Sequence, residues 1–147
     1  MSTPAAGEAE LRRAAANLEM VRGQMDALGR QAETLQIALE EVLRARETLR
    51  ETQRAGAGRE LLVPIGANGF VFGQLKDVER VIMGIGSDVA VEQTTTAAVE
   101  RLEARAKAIE EAERGLAERM AQLEQHAEAH SQKVQELYEK AQGRPPG

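Results

Sequence analysis

The histidines and a glycine-rich segment come nearest to known chemistry in this chain, but neither pattern completes a site. His126 and His130 are four residues apart in a predicted helix, so they share a helical face, as the ligands of a metal pair do. A zinc site needs further ligands, and the zinc-protease pattern needs Glu directly after the first His, where this chain has Ala127. The segment 66–73 lacks the Lys-Ser/Thr of a phosphate-binding loop and does not open a helix. We therefore expect no metal site and no cofactor, and we interpret these glycines as turn residues.

The sequence offers no pairing of a nucleophile with a base. Cysteine is absent, which excludes disulfides, thiolate catalysis and Cys-based metal sites, and only two histidines are present. Arg46 and Glu113 fall at positions of a seven-residue repeat that face the partner helix in a coiled coil, here called the seam. Polar residues at such positions set register or partner choice. We therefore expect the chain not to be an enzyme.

Composition and charge exclude several classes of partner. The formal net charge is -5, charges of both signs are interspersed, and aromatic residues make up 2% of the chain. A basic patch and base-stacking platforms for nucleic acid are therefore missing. The N-terminal residues lack the apolar core of a secretory signal, and no apolar run approaches the ~18 residues of a membrane span. We expect a cytoplasmic protein that binds neither nucleic acid nor membrane.

Apolar residues recur every seven residues in two segments of nearly equal length, 8–54 and 95–142. The first segment fills its two seam positions with Leu11, Ala14, Leu18, Val21, Met25, Leu28, Ala32, Leu35, Leu39, Val42, Arg46 and Leu49. The second fills them with Val99, Leu102, Ala106, Ile109, Glu113, Leu116, Met120, Leu123, Ala127, His130, Val134, Leu137 and Ala141. We predict two helices that pair antiparallel as a coiled-coil hairpin, with a disordered leader over 1–7 and a disordered tail over 143–147.

The insert between the helices, residues 55–94, has the pattern of two β-hairpins. Val-, Ile- and Phe-rich runs flank the turn residues Gly66–Gly69 and Gly86–Asp88. Pro64 cannot donate to a ladder, so we expect it at an edge or a bulge. The threonines of 94–96 supply an N-cap for the second helix. The predicted fold class is therefore mainly α with a small β insert.

Isolated two-stranded hairpins are marginal in water, and their open edges are sticky unless another strand covers them. We therefore expect hairpins from several chains to close into a β-barrel hub. The alternative is that the hairpins fold back on the neck of their own coil. The predicted oligomerisation residues are Leu62, Val63, Ile65, Phe70, Val71, Phe72, Val81, Ile82, Met83, Ile85, Val89 and Val91.

The layout of helix, two hairpins and helix resembles the α class of the prefoldin family. The specific part is Val63–Glu92, in which both hairpin patterns are similar to those of the family. The resemblance implies a hexamer of two α-type and four β-type subunits, joined through a double β-barrel from which six coiled coils project. It also implies that the coil tips hold unfolded polypeptides and pass them to a group II chaperonin without ATP.

A tip that holds clients needs apolar surface that its own fold leaves unsatisfied. Fraying of the helix ends would expose seam residues, and two further apolar residues lie off the seam. The predicted client-binding residues are Leu11, Leu18, Met20, Val21, Val134, Leu137 and Tyr138. The alternative is that these are ordinary residues of a frayed coil end.

Two functional hypotheses follow. The first is an ATP-independent holdase. The alternative is a structural coiled-coil scaffold or adaptor that dimerises through its β-hairpins.

Overall fold

A computed structural model describes residues 4–143 and shows two long helices with four strands between them. The elements are α1 (Pro4–Ala55), β1 (Glu60–Gly66), β2 (Gly69–Gln74), β3 (Arg80–Gly86), β4 (Val89–Thr94) and α2 (Thr95–Ala141). Strands β1 and β2 form one antiparallel hairpin, hairpin 1, and β3 and β4 form a second, hairpin 2. The predicted class, mainly α with two central β-hairpins, is confirmed.

The helix ends differ from the predicted bounds by a few residues. Residues 4–7, predicted as part of a disordered leader, form the first turn of α1, and a proline is well suited to the first helical position. Gly143 ends the second helical segment with a φ of 71°, and its N–H donates to the Lys140 carbonyl at 3.0 Å. The remainder of the predicted leader and tail, 1–3 and 144–147, lies outside the described residues.

The chain divides into two compact units, one of residues up to 36 and from 111 onwards, the other of residues 37–110. In the second unit Val42 of α1 packs with Leu102 and Ala106 of α2 in one buried cluster. Buried residues of the first unit are Ala14, Leu18, Val21, Leu28 and Leu137. In each unit an apolar stripe on α1 and one on α2 therefore supply the core.

The predicted seam is buried or half-buried at every position except Ala32 and Ala141. Ala141 is the last residue of α2, where little remains to cover it. Ala32 is exposed, whereas the seam alanines Ala14 and Ala106 are buried. In the same unit a groove of about 610 Å³ is lined by Ala27, Arg30, Gln31, Thr34, Leu35, Ala112 and Leu116. The heptad pattern thus predicts which residues form the seam, but not which of them remain exposed to solvent.

Both hairpins close through the same two-residue turn. Ala67 and Asn68 have φ of 49° and 61°, and Ser87 and Asp88 have φ of 51° and 60°, as a type I′ turn requires. In each hairpin the register shifts just before the turn, between Pro64 and Gly66 and between Gly84 and Gly86, which is a β-bulge. The prediction that Pro64 lies at an edge or a bulge is confirmed, since Pro64 borders the bulge of β1.

The threonines at the start of α2 connect that helix to hairpin 2. Thr94 is the N-cap, since its Oγ1 accepts the Ala97 N–H at 3.1 Å. Thr95 is fully buried: its Oγ1 donates to the Val78 carbonyl at 2.7 Å and its N–H donates to the Glu79 carbonyl at 2.9 Å. These bonds fix the connection between β2 and β3 against the first turn of α2.

Thr95→Val is expected to lower the free energy of unfolding by about 1–3 kcal/mol, because the isosteric side chain leaves the Val78 carbonyl without its donor. Urea unfolding followed by circular dichroism at one fixed protein concentration measures the change. Thr96→Val is the matched control, because Thr96 is exposed and a surface substitution should change stability by no more than about 0.5 kcal/mol. Equal effects of both substitutions would contradict this role of Thr95.

Candidate functional site

Hairpin 1 presents one exposed apolar face. Leu62 pairs with Phe72 and Pro64 pairs with Phe70, so these four side chains share a side of the ladder, here called the outer face of hairpin 1. Phe70 and Phe72, the only phenylalanines in the chain, are 57% and 78% exposed. An apolar face of this kind, left uncovered by its own chain, marks an interaction surface.

The opposite face of hairpin 1 lies against its own chain at the base of the hairpin. Leu61 and Leu75 are half-buried and line a groove together with Thr48 and Thr52 of α1. Gly73 pairs with Leu61, and a Cβ at Gly73 would come within 3.3 Å of the Leu61 side chain, so the glycine leaves room for that leucine. Val63 and Val71 lie on this same face nearer the turn and are exposed, so hairpin 1 is anchored to its own chain only at its base.

Hairpin 2 divides its side chains in the same way. Ile82 is 72% exposed, whereas its neighbour Met83 packs against the buried cluster of Val42, Leu102 and Ala106. Met83 was predicted as an oligomerisation residue, and within the chain it is half-buried against its own coil. Ile82 and Met83 differ in this way because successive strand residues point to opposite faces. A role of Met83 in oligomerisation stays a prediction.

Nine of the twelve predicted oligomerisation residues are exposed, and three are half-buried. The exposed ones are Leu62, Val63, Ile65, Phe70, Val71, Phe72, Ile82, Ile85 and Val89. The half-buried ones are Val81, Met83 and Val91, and the register pairs Met83 with Val91 on one face. Most of the predicted surface is thus available to a partner.

An ionic chain crosses the base of hairpin 2. The Arg80 Nε donates to Asp77 Oδ2 at 2.8 Å, and its guanidinium also reaches Glu92 at 3.1 Å. The hydrogen bond from Arg80, with that from the Glu79 N–H, lowers the pKa of the Asp77 carboxyl below its usual value. All these groups are exposed, so these ion pairs orient the β2–β3 connection more than they stabilise the fold.

Arg46 is the charged residue of the α1 seam. Its Nε is buried and has no hydrogen-bond partner. A buried donor without an acceptor is destabilising. That Arg46 sets register or partner choice stays a prediction.

Arg46→Met is expected to raise the free energy of unfolding by about 1–2 kcal/mol, since an unbranched apolar side chain fills the layer without an unsatisfied donor. Thermal or urea unfolding measures it. Arg44→Met removes the same charge from an exposed position and should leave stability within about 0.5 kcal/mol. A destabilised Arg46→Met variant would show that the guanidinium makes a net favourable contribution to the seam.

The predicted client-binding residues all belong to the same compact unit. Leu18, Val21 and Leu137 are buried, Leu11 and Val134 are half-buried, and only Met20 and Tyr138 are exposed, at 63% and 54%. In the same unit, Lys133 Nζ lies 3.9 Å from Glu10 Oε1. With the seam closed, two of the seven predicted residues are therefore exposed, two are half-buried and three are buried.

The histidine pair brings no further ligand with it. His126 is exposed and His130 is half-buried. Within residues 4–143, no group of three or more His, Asp or Glu side chains could hold a metal ion. Neither helix, over the part of the chain that the structure describes, is long and apolar enough to cross a membrane.

Comparison with known proteins gives one consistent family. The family model described as Prefoldin subunit matches residues 21–140. Prefoldin subunit alpha of Pyrococcus horikoshii is 33% identical over 132 residues, which cover 89% of each chain. Prefoldin subunit 5 of Homo sapiens is 30% identical over 128 residues, 82% of this chain and 83% of that one. Among solved structures, the cryo-EM structure of filamentous PFD from Methanocaldococcus jannaschii has a similar fold, with a TM-score of 0.51 and 22% identity over 82% of this chain and 93% of that chain. The resemblance to the α class seen in the sequence is confirmed.

Proposed function

Because this chain belongs to the prefoldin family, whose function is of the chaperone type, we propose that it is one subunit of a hetero-oligomeric, ATP-independent holdase. The observation that carries the proposal is the exposed outer face of hairpin 1 with Phe70 and Phe72. A chain that acts alone has no use for such a face, whereas a subunit buries it against its neighbours.

The assembly we propose is a hexamer of two such chains with four β-type subunits. Both hairpins are two-stranded, so each leaves two strand edges open within the described chain. Pairing these edges between subunits in a closed β-barrel hub would satisfy them and bury the exposed apolar residues of both hairpins together. The similarity to named prefoldin subunits supports assembly with other members of the family.

Client holding is proposed for the seven client-binding residues. Met20 and Tyr138 offer the first contact, and opening of the seam adds buried leucine and valine side chains. Weak apolar contacts at several coil ends in one assembly would add up through avidity, so unfolded polypeptides could be held and released without nucleotide. Delivery to a group II chaperonin in the cytoplasm completes the proposal and is supported by family membership alone.

A structural scaffold is the second candidate, and two observations favour it. Met83 packs on its own coil, and the closed seam buries Leu18, Val21 and Leu137. A coil that stays closed would present a fixed surface to one partner instead of adaptable apolar side chains to many.

Light scattering separates the two candidates. A chemically denatured protein is diluted into buffer that contains the assembled complex of this chain with β-type subunits. The measurement is made once without nucleotide and once with ATP. The holdase proposal expects aggregation to fall in proportion to the complex added, and expects ATP to change nothing. Unchanged aggregation at an excess of complex would leave the scaffold as the better account.

A further inference from the structure

The coil is thinly packed at one level of the unit that holds residues up to 36 and from 111 onwards. Residues 29–36 of α1 and residues 111–136 of α2 include no buried residue, although Leu28, directly before the first stretch, is only 4% exposed. Ala32 occupies a seam position in this stretch and is exposed, whereas the seam alanine Ala14 is buried. A small side chain alone therefore does not explain the low burial here.

The groove of about 610 Å³ reaches the seam at the same level. Its lining contains Leu35 of α1 and Leu116 of α2, which are both seam residues and both half-buried. Solvent therefore enters between the two helices at this point. An apolar side chain beside open space lacks the partner atoms that a filled layer would give it, so these two leucines contribute less to helix pairing than fully buried ones do.

Two further features weaken this level of the coil. Glu113, next to a residue of the groove lining, places a half-buried carboxylate in the seam, and among residues 4–143 it forms no ion pair and no side-chain hydrogen bond. Removing a charge from water without a partner is unfavourable. Gly29 and Gly115 lie inside the two helices, where glycine costs backbone entropy. A Cβ built on either glycine meets no atom within 4 Å, so packing does not require glycine at these positions.

We propose that residues 29–35 of α1 and 112–116 of α2 form an opening point, at which the two helices part more readily than at the buried cluster of Val42, Leu102 and Ala106. A local opening costs only the contacts that it breaks, and at this level those contacts are few. Parting of the helices exposes Leu35 and Leu116 completely, so the opening point gives an unfolded polypeptide apolar contacts away from the helix ends. This consequence for clients rests on the proposed holdase function, whereas the opening itself does not.

Hydrogen exchange followed by mass spectrometry tests the opening in the full-length chain, assembled with its β-type partners. After correction for the intrinsic exchange rate of each residue, we expect the amides of residues 111–117 to exchange at least about tenfold faster than those of residues 100–106, which include Leu102 and Ala106 of the buried cluster. Equal protection of the two segments would overturn the proposal. This comparison uses the wild-type chain and therefore does not depend on how any variant folds.

Two double variants show whether the named residues cause the opening. Gly29→Ala with Glu113→Leu removes one weakening feature from each helix, so exchange of residues 111–117 should slow by at least about tenfold. Gly23→Ala with Glu128→Leu is the matched control, because it replaces the same residue types on the same two helices outside the opening point and should leave exchange of residues 111–117 at the wild-type rate. Equal slowing in both double variants, or no slowing in the first, would overturn the proposal.

Light scattering of a diluted, denatured protein tests the consequence for clients. The complex with Gly29→Ala and Glu113→Leu should hold at least about twofold less client than the control complex, because Leu35 and Leu116 stay covered. Equal holding by the two complexes would show that the opening point takes no client. A wild-type complex that holds no client would contradict the holdase function instead, and the exchange rates would still decide whether the coil opens here.

Discussion

Replacing Phe70 and Phe72 together with aspartate should leave a folded chain that no longer assembles. Both side chains are exposed in the isolated chain, so the substitutions remove little of its internal packing. In an assembly each buried phenylalanine contributes about 2 kcal/mol, and a buried aspartate adds the penalty of an unpaired charge. The dissociation constant of the complex should therefore rise by a factor of about 10³ or more. Size-exclusion chromatography with light scattering measures this loss, and circular dichroism checks that the helices remain.

Ile37→Asp is the control for this substitution. Ile37 is a large exposed apolar residue of α1 outside the hairpins, so a charge there should leave assembly intact. Assembly of the Phe70→Asp/Phe72→Asp double variant at wild-type concentrations would show that the outer face of hairpin 1 is not an interface. A double variant that unfolds would instead mean that these phenylalanines support the chain itself.

Removing residues 1–20 together with residues 132–147 should abolish client holding and leave the oligomer intact. The deletion takes away six of the seven client-binding residues, all but Val21, and touches neither hairpin. Because the proposed interface lies in the hairpins, the mass of the complex should fall only by the mass of the deleted segments. Light scattering of a diluted, denatured client gives the holding activity, and native mass spectrometry gives the assembly.

The double substitution Met20→Ser with Tyr138→Ser refines this test in the full-length chain. These are the two client-binding residues that are exposed while the seam is closed, so holding should fall several-fold without any change in helix content. Ile37→Ser is its matched control and should hold clients as the wild type does. If the truncated complex still suppresses aggregation, clients bind elsewhere; if it no longer assembles, the division between hairpins and helix ends is wrong.

The sequence predicted the fold well because the signals that carry it are local. The seven-residue repeat marks the seam, the turn residues Gly66 and Gly86 mark the hairpins, and Thr94 caps α2. Each signal depends on residues within a few positions of one another. The helix start at Pro4 was missed, because a proline and small residues close to a chain end suggest disorder unless the first-turn role of proline is weighed.

What the sequence did not predict depends on contacts between distant segments. Nothing in its own strand says that Met83 packs on a cluster of α1 and α2 while Ile82 stays exposed. Likewise, the client-binding residues could be listed by type and position, whereas their burial in a closed seam follows from the pairing of the two helices.

The central claim is that this chain leaves its hairpin surface for other subunits to cover. Native mass spectrometry of the chain mixed with β-type prefoldin subunits tests it most directly. The account predicts one complex that contains two copies of this 16.0 kDa chain and four of the partner. A free 16.0 kDa monomer that persists beside an excess of partner, with the backbone amides of its hairpins protected from hydrogen exchange, would contradict it.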